Sequence, residues 1–186
     1  MNADDVIFTF DRQMNPANPY HTYADRPYVY FEGVGMPKLI SGWRKIDDYT
    51  LVLTLPAPHA PMIANLAMDF GSVMSKEYAD FLAAKGRMKD LATKPVGTGP
   101  FRLVDYKQDE TIRYAANDTY WKGRPKIDDL IFSIAIDANV RWEMLRTGAC
   151  QIMSYPNPAD VAAIKAEPGI KVMEREGLNT GYLAFN

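Results

Sequence analysis

The stretch from Leu91 to Trp121, LATKPVGTGPFRLVDYKQDETIRYAANDTYW, decides how this chain divides. Pro95, Gly97, Gly99 and Pro100 crowd together, and the pattern then turns at once to alternating apolar and polar positions. Proline and glycine interrupt regular structure, whereas two-residue alternation marks a half-buried strand. FRLVDYK and TIRYAAN therefore read as strands, followed by a third in IDDLIFSIAI. Whether the break before them lies inside one domain or between two is the question for the rest of the chain.

Upstream, Val6, Ile7, Phe10 and Met14 recur at helical spacing, with Asp4 and Asp5 suited to a first turn, so residues 3–13 are expected to be a helix stopped by NPANP. A short helix is expected around Tyr28 to Phe31. LISGWRKIDDYTLVLTLPAP predicts a hairpin, with strands over residues 39–46 and 50–55 and Asp47 and Asp48 at the turn. Residues 61–67 and 75–85 read as helices, the second with Ser75 as N-cap. Downstream, Asp137 caps a helix in ANVRWEMLRTG that Gly148 ends. CQIMSY is expected to be a strand, residues 158–166 a helix, and IKVMER and GYLAFN two more strands. Hairpins mixed with helical crossovers make the fold α+β, or mixed α/β.

With 47% hydrophobic and 24% charged residues, the chain is apolar enough to fold around a core. A formal charge of −2 with scattered Lys and Arg gives no basic field for phosphates, so nucleic acid is not an expected partner. No apolar run reaches the roughly 18–20 residues that span a bilayer, and the start, MNADDVIFTFDRQ, reads as the interior of a longer protein. The lone Cys150 is either a buried thiol or the partner of a cysteine outside this stretch.

Catalytic patterns are missing. His21 and His59 lie far apart and belong to no metal-ligand motif, so no metal is expected. There is no GxSxG elbow, no phosphate loop and no dinucleotide fingerprint, so neither a cofactor nor an enzyme is expected. Asp4 with Asp5 and Asp128 with Asp129 are adjacent in sequence and so do not face each other as an acid and base pair would. Aromatic and polar residues cluster instead: Tyr20, Tyr23, Tyr28, Tyr30 and Phe31 early, Tyr155, Asn157, Asn179 and Tyr182 late. Tyrosine offers an apolar face with one hydroxyl, which suits a pocket for a small polar organic ligand; core and turn packing is the alternative for each.

Taken together, NADDVIFTFDRQ, PVGTGPFRL, ANDTYWKGRPKIDDLIFSI and RWEMLRTGACQIM resemble the peptide-binding branch of family 5 of the bacterial solute-binding proteins. The resemblance runs along the whole chain. It implies part of a type II periplasmic-binding-protein lobe joined to a small auxiliary α+β domain. It divides the chain into residues 1–95 of the auxiliary domain, 96–177 of the first lobe and 178–186 crossing toward a second lobe, with the glycines and Pro100 fixing the chain's direction into the first strand. The implied function is periplasmic capture of dipeptides or short peptides by lobe closure and delivery to an inner-membrane ABC permease. A chemoreceptor is a further implied partner. The wall residues it implies are Tyr20, Tyr28, Ser154, Tyr155 and Tyr182, with the groups for the peptide termini beyond Asn186. Other family ligands, such as a nickel complex, haem or a sugar, remain open, as does a module docking on the permease or a chemoreceptor.

Overall fold

The computed structural model describes residues 1–23, 28–175 and 177. They gather into two compact units, Met1–Ser133 and the residues from Ile134 onward.

The first unit begins with helix α1 (Ala3–Met14). The Asn2 side-chain oxygen accepts hydrogen bonds from the Asp4 and Asp5 amides, and Asp5 Oδ2 accepts the Asn2 amide at 2.6 Å, a capping box. The short helices α2 (Val29–Gly33) and α3 (Met36–Leu39) follow, then an antiparallel hairpin of β1 (Gly42–Asp47) and β2 (Thr50–Thr54). Helix α4 (Met62–Leu66), a 3-10 turn at Asp69–Gly71, helix α5 (Lys76–Ala84) and a one-turn helix α6 (Asp90–Thr93) complete this part. Ser75 caps α5 through the Tyr78 amide, as its sequence position predicts.

Two apolar clusters form here, one of Phe10, Phe31, Met36, Ile40, Met62 and Phe70, the other of Phe8, Tyr20, Ala79, Leu82 and Leu91. Helix α1 is wedged between them, because residues two apart on a helix point in nearly opposite directions. Burial on two sides makes the α1 interior more polar than the apolar spacing alone suggests. Asp5, Thr9 and Gln13, four residues apart, are all buried. Their side chains meet backbone groups of the stretch from the 3-10 turn to the start of α5: Asp5 Oδ1 accepts the Lys76 amide at 2.7 Å, Thr9 Oγ1 accepts the Met74 amide at 2.9 Å, and Gln13 Nε2 donates to the Phe70 carbonyl at 3.0 Å. That segment has no ladder of its own and would otherwise leave these groups unpaired.

The strands β3 (Phe101–Lys107), β4 (Thr111–Ala116) and β5 (Asp129–Ser133) form an antiparallel meander in that order. The chain is fixed at the start of β3 by Asn117, whose amide donates to the Pro100 carbonyl at 2.9 Å and whose Nδ2 donates to the Gly99 carbonyl at 2.8 Å. Gly97 and Gly99 hold no left-handed backbone, and a side chain at either would meet nothing within 4 Å. The direction of the strand thus comes from Asn117 and not from glycine geometry.

The second unit holds helix α7 (Ala138–Arg146), capped by Asp137, and a 3-10 turn at Pro158–Asp160 running into helix α8 (Val161–Ala166). Gly148, with φ +78°, follows α7 as expected.

Several strand boundaries differ from the sequence expectation. The first hairpin strand begins at Gly42 and not at residue 39, because Leu39 ends α3 and Ile40 is drawn into the core at 4% exposure. The strand in IDDLIFSIAI stops at Ser133, which pairs with Thr111, the first residue of β4; beyond it β4 offers no further partner among the described residues. CQIMSY and IKVMER are not strands, because alternation makes a strand only where a neighbour supplies the other half of the ladder. The GYLAFN expectation lies outside the described residues.

Two substitutions test this packing. Thr9→Val strips the Met74 amide of its acceptor in a buried setting and should lower stability by about 1–3 kcal/mol, read as a shift of the urea midpoint at unchanged slope. Gly71→Ala drives a Cβ into the Leu66 carbonyl oxygen, and overpacking against backbone should cost about 1–3 kcal/mol by the same measurement. An unchanged midpoint for either would remove the corresponding contact from this account.

Candidate functional site

Tyr20 and Tyr28, both expected as wall residues, are brought together in the first unit. The Tyr28 hydroxyl donates to the Tyr20 carbonyl at 2.8 Å and accepts from Arg12 Nη1 at 3.1 Å. The Arg12 guanidinium also lies 5.2 Å from the Tyr28 ring centre, a cation–π contact. Tyr20 is only 3% exposed, and its hydroxyl donates to the Ala79 carbonyl at 2.6 Å. Burial pushes both phenols above their ordinary pKa; the Asp80 charge adds to this for Tyr20, while Arg12 opposes it for Tyr28. Both hydroxyls therefore remain neutral donors. Tyr20 spends its polar group inside the fold, whereas Tyr28 faces a cleft.

The cleft has a volume of about 360 Å³ and is lined by Arg12, Gln13, Tyr28, Tyr30, Phe31 and Phe70, with Val29 and Asp69 at its margin. Arg12 enters it from the third turn of α1, over the Tyr28 ring; Phe31 and Phe70 meet edge to face with ring centres 5.4 Å apart. Arg12 Nε and Gln13 Oε1 are buried without a hydrogen-bond partner among the described residues. Aromatic walls with a cation, a carboxylate and an amide suit a small polar organic ligand. A larger groove of about 530 Å³, at Thr93–Val96 and Leu103–Gln108, contains none of the expected site residues.

Ser154 and Tyr155 lie in the second unit, on the loop before Pro158. Both are exposed, Tyr155 at 87%. Tyr155 has φ +52°, a left-handed conformation that costs a residue with a Cβ roughly 1–2 kcal/mol. The residue before a proline is ordinarily held to extended backbone, so Tyr155 ahead of Pro156 is doubly unusual. The Tyr155 carbonyl accepts from Arg141 Nη2 at 2.9 Å. Asn157, singled out with these residues, accepts the Ala159 amide at 3.2 Å and so caps the following turn. Tyr182 and Asn179 lie outside the described residues. Cys150 is a free thiol of intermediate exposure.

Sequence reasoning missed Arg12, Gln13, Phe70 and Arg141. Arg12 lies opposite the apolar stripe of α1, Gln13 borders that stripe as a polar residue, and Phe70 is brought by the chain's return to α1. Arg141 did leave a signal: it falls near the N-terminus of α7, where the helix dipole disfavours a cation.

Comparison with known proteins places these features in a family. The sequence profile described as Bacterial extracellular solute-binding proteins, family 5 Middle, matches residues 1–186. The dipeptide-binding protein of Escherichia coli (strain K12) is 52% identical over 186 residues, covering 100% of this chain and 35% of that protein. Heme-binding protein A of Haemophilus influenzae is 45% identical over 185 residues, covering 100% of this chain and 34% of that protein. Among solved structures, a periplasmic binding protein of Helicobacter pylori in complex with the peptide STSA superposes with a TM-score of 0.83 at 40% identity, over 90% of this chain and 33% of that one. The chain thus spans about a third of the length of the relatives it matches. Its mixed helices and strands follow the fold of those binding proteins, and the chain belongs to family 5 of the bacterial extracellular solute-binding proteins.

Proposed function

We propose that this chain is part of a periplasmic receptor that captures dipeptides or short peptides and hands them to an ABC permease, without covalent chemistry. The observation that carries the reading is the 52% identity, along the entire chain, to a protein named for dipeptide binding. Its physical support is one aromatic feature in each unit: Tyr155, exposed on a left-handed backbone, and the Tyr28 cleft with its cation and aromatic walls. Aromatic faces with a few fixed polar groups hold a peptide backbone while reading little of its side chains.

In this reading, residues 1–95 belong to the auxiliary domain, 96–177 to the first lobe and 178–186 to the crossing toward the second. The change from helices to a β-meander around Pro95 to Pro100 supports the first division. Tyr28, Ser154, Tyr155 and Tyr182 supply walls, Tyr20 backs Tyr28 through its carbonyl from inside the fold, and the permease, with a chemoreceptor as a second partner, receives the loaded form. Haem is the second reading, favoured by the 45% identity to a haem-binding relative.

Calorimetry of the full-length protein with Ala-Ala, alongside a Soret titration with haem, separates the two. The expected result is heat from the dipeptide and no haem spectrum; haem binding without dipeptide binding reverses the assignment. Within the dipeptide reading, Tyr155→Ala should weaken Ala-Ala binding by about 1–3 kcal/mol, roughly 5- to 150-fold in Kd. An unchanged Kd would make that ring part of the scaffold only.

A further inference from the structure

We infer that Arg141 is the positioning residue of this site: its guanidinium clamps three backbone carbonyls and thereby holds the strained Tyr155 so that the ring points outward toward ligand. The inference rests on the peptide-receptor reading and adds a residue to it.

The geometry is unusual for an arginine. Nη1 donates to the Ala135 carbonyl at 2.7 Å and to the Ile136 carbonyl at 2.5 Å, and Nη2 donates to the Tyr155 carbonyl at 2.9 Å. The hydrogen bonds of Arg141 among the described residues all go to backbone carbonyls, although a carboxylate would be the ordinary mate of a guanidinium. A planar fork of donors instead joins two segments 19 positions apart, the chain leading into α7 and the loop leading into α8. The position itself runs against the dipole of α7, so the cation is placed there at an electrostatic cost that its carbonyl contacts offset.

What the clamp holds is, among the described residues of the second unit, the non-glycine residue with a left-handed backbone. Tyr155 is left-handed at φ +52°, precedes a proline and leaves its ring 87% exposed. Glycine would take that backbone without strain, and a polar residue would bear that exposure better. A tyrosine in a strained, pinned conformation is the pattern of a side chain aimed by its scaffold, since strain persists only where surrounding contacts over-determine it. Backbone freedom removed in advance need not be removed when ligand arrives.

A double-mutant cycle in the full-length protein tests this, with Ala-Ala as the probe and thermal unfolding recorded for every variant. Arg141→Gln is expected to weaken Ala-Ala binding about tenfold, and Arg141→Lys, which keeps one cationic donor, to recover part of that loss. The decisive arm is Tyr155→Ala. If Arg141 acts through the ring, Arg141→Gln in that background changes Kd by less than about twofold, while its effect on the melting temperature persists. Losses that multiply in the double variant, or an Arg141→Gln Kd within twofold of wild type, overturn the inference and leave Arg141 a structural clasp. Should Arg141→Gln fail to fold, the Arg141→Lys pair completes the same cycle. If the wild type binds haem and not Ala-Ala, the peptide reading fails by itself, and the cycle run with haem decides the clamp. If it binds neither, both fall together.

Discussion

The first unit depends on one line of polar contacts, from Asp5, Thr9 and Gln13 of α1 to the backbone between Phe70 and Lys76. Apolar burial supplies most of the driving force for such a fold, yet it is indifferent to direction. The polar line is not. Each bond fixes one backbone group of an irregular segment to one turn of α1, and a buried polar group left unpaired costs more than a made bond returns. The segment is therefore held antiparallel to the helix in a single register, with Phe70 turned into one apolar cluster and α5 carried into the other. The cleft at Tyr28 is a product of that registration, since it lies between α1, α2 and the 3-10 turn that the line holds in place.

The second unit solves a similar problem with a different group. Its loops have few ladder bonds, and Arg141 supplies the missing donors from one side chain to three carbonyls. In both units, polar side chains on a helix organise irregular backbone nearby.

The site was legible in the sequence only as a class of residue. Tyrosines grouped around Tyr20–Phe31 and at Tyr155 stand out by composition, and the structure separates their roles. Tyr20 is sealed against Ala79, Tyr28 is braced by Arg12 at a cleft, and Tyr155 is exposed on a left-handed backbone. Nothing in one-dimensional spacing distinguishes these, because burial and backbone angle follow from which distant segment arrives alongside. For the same reason the burial of Arg12 and Gln13 follows from the return of Phe70 beside them, which their spacing on α1 does not signal.

By itself, the sequence determined the local elements whose signals lie within a few residues: α1 with its acidic first turn, Ser75 and Asp137 as caps, the first hairpin, though its turn falls at Asp48 and Tyr49 with Asp47 still paired in β1 and not at Asp47 and Asp48, the meander after Pro100, and the helix from Pro158. These rest on hydrogen bonds and side-chain periodicities that close within one turn or one hairpin. Only the tertiary structure decided that Asn117, and not Gly97 or Gly99, fixes the start of β3, that CQIMSY and IKVMER remain unpaired, and that Asp5, Thr9 and Gln13 are buried. Each of these depends on a partner remote along the chain, and a strand or a buried polar group has no stability until that partner is in place.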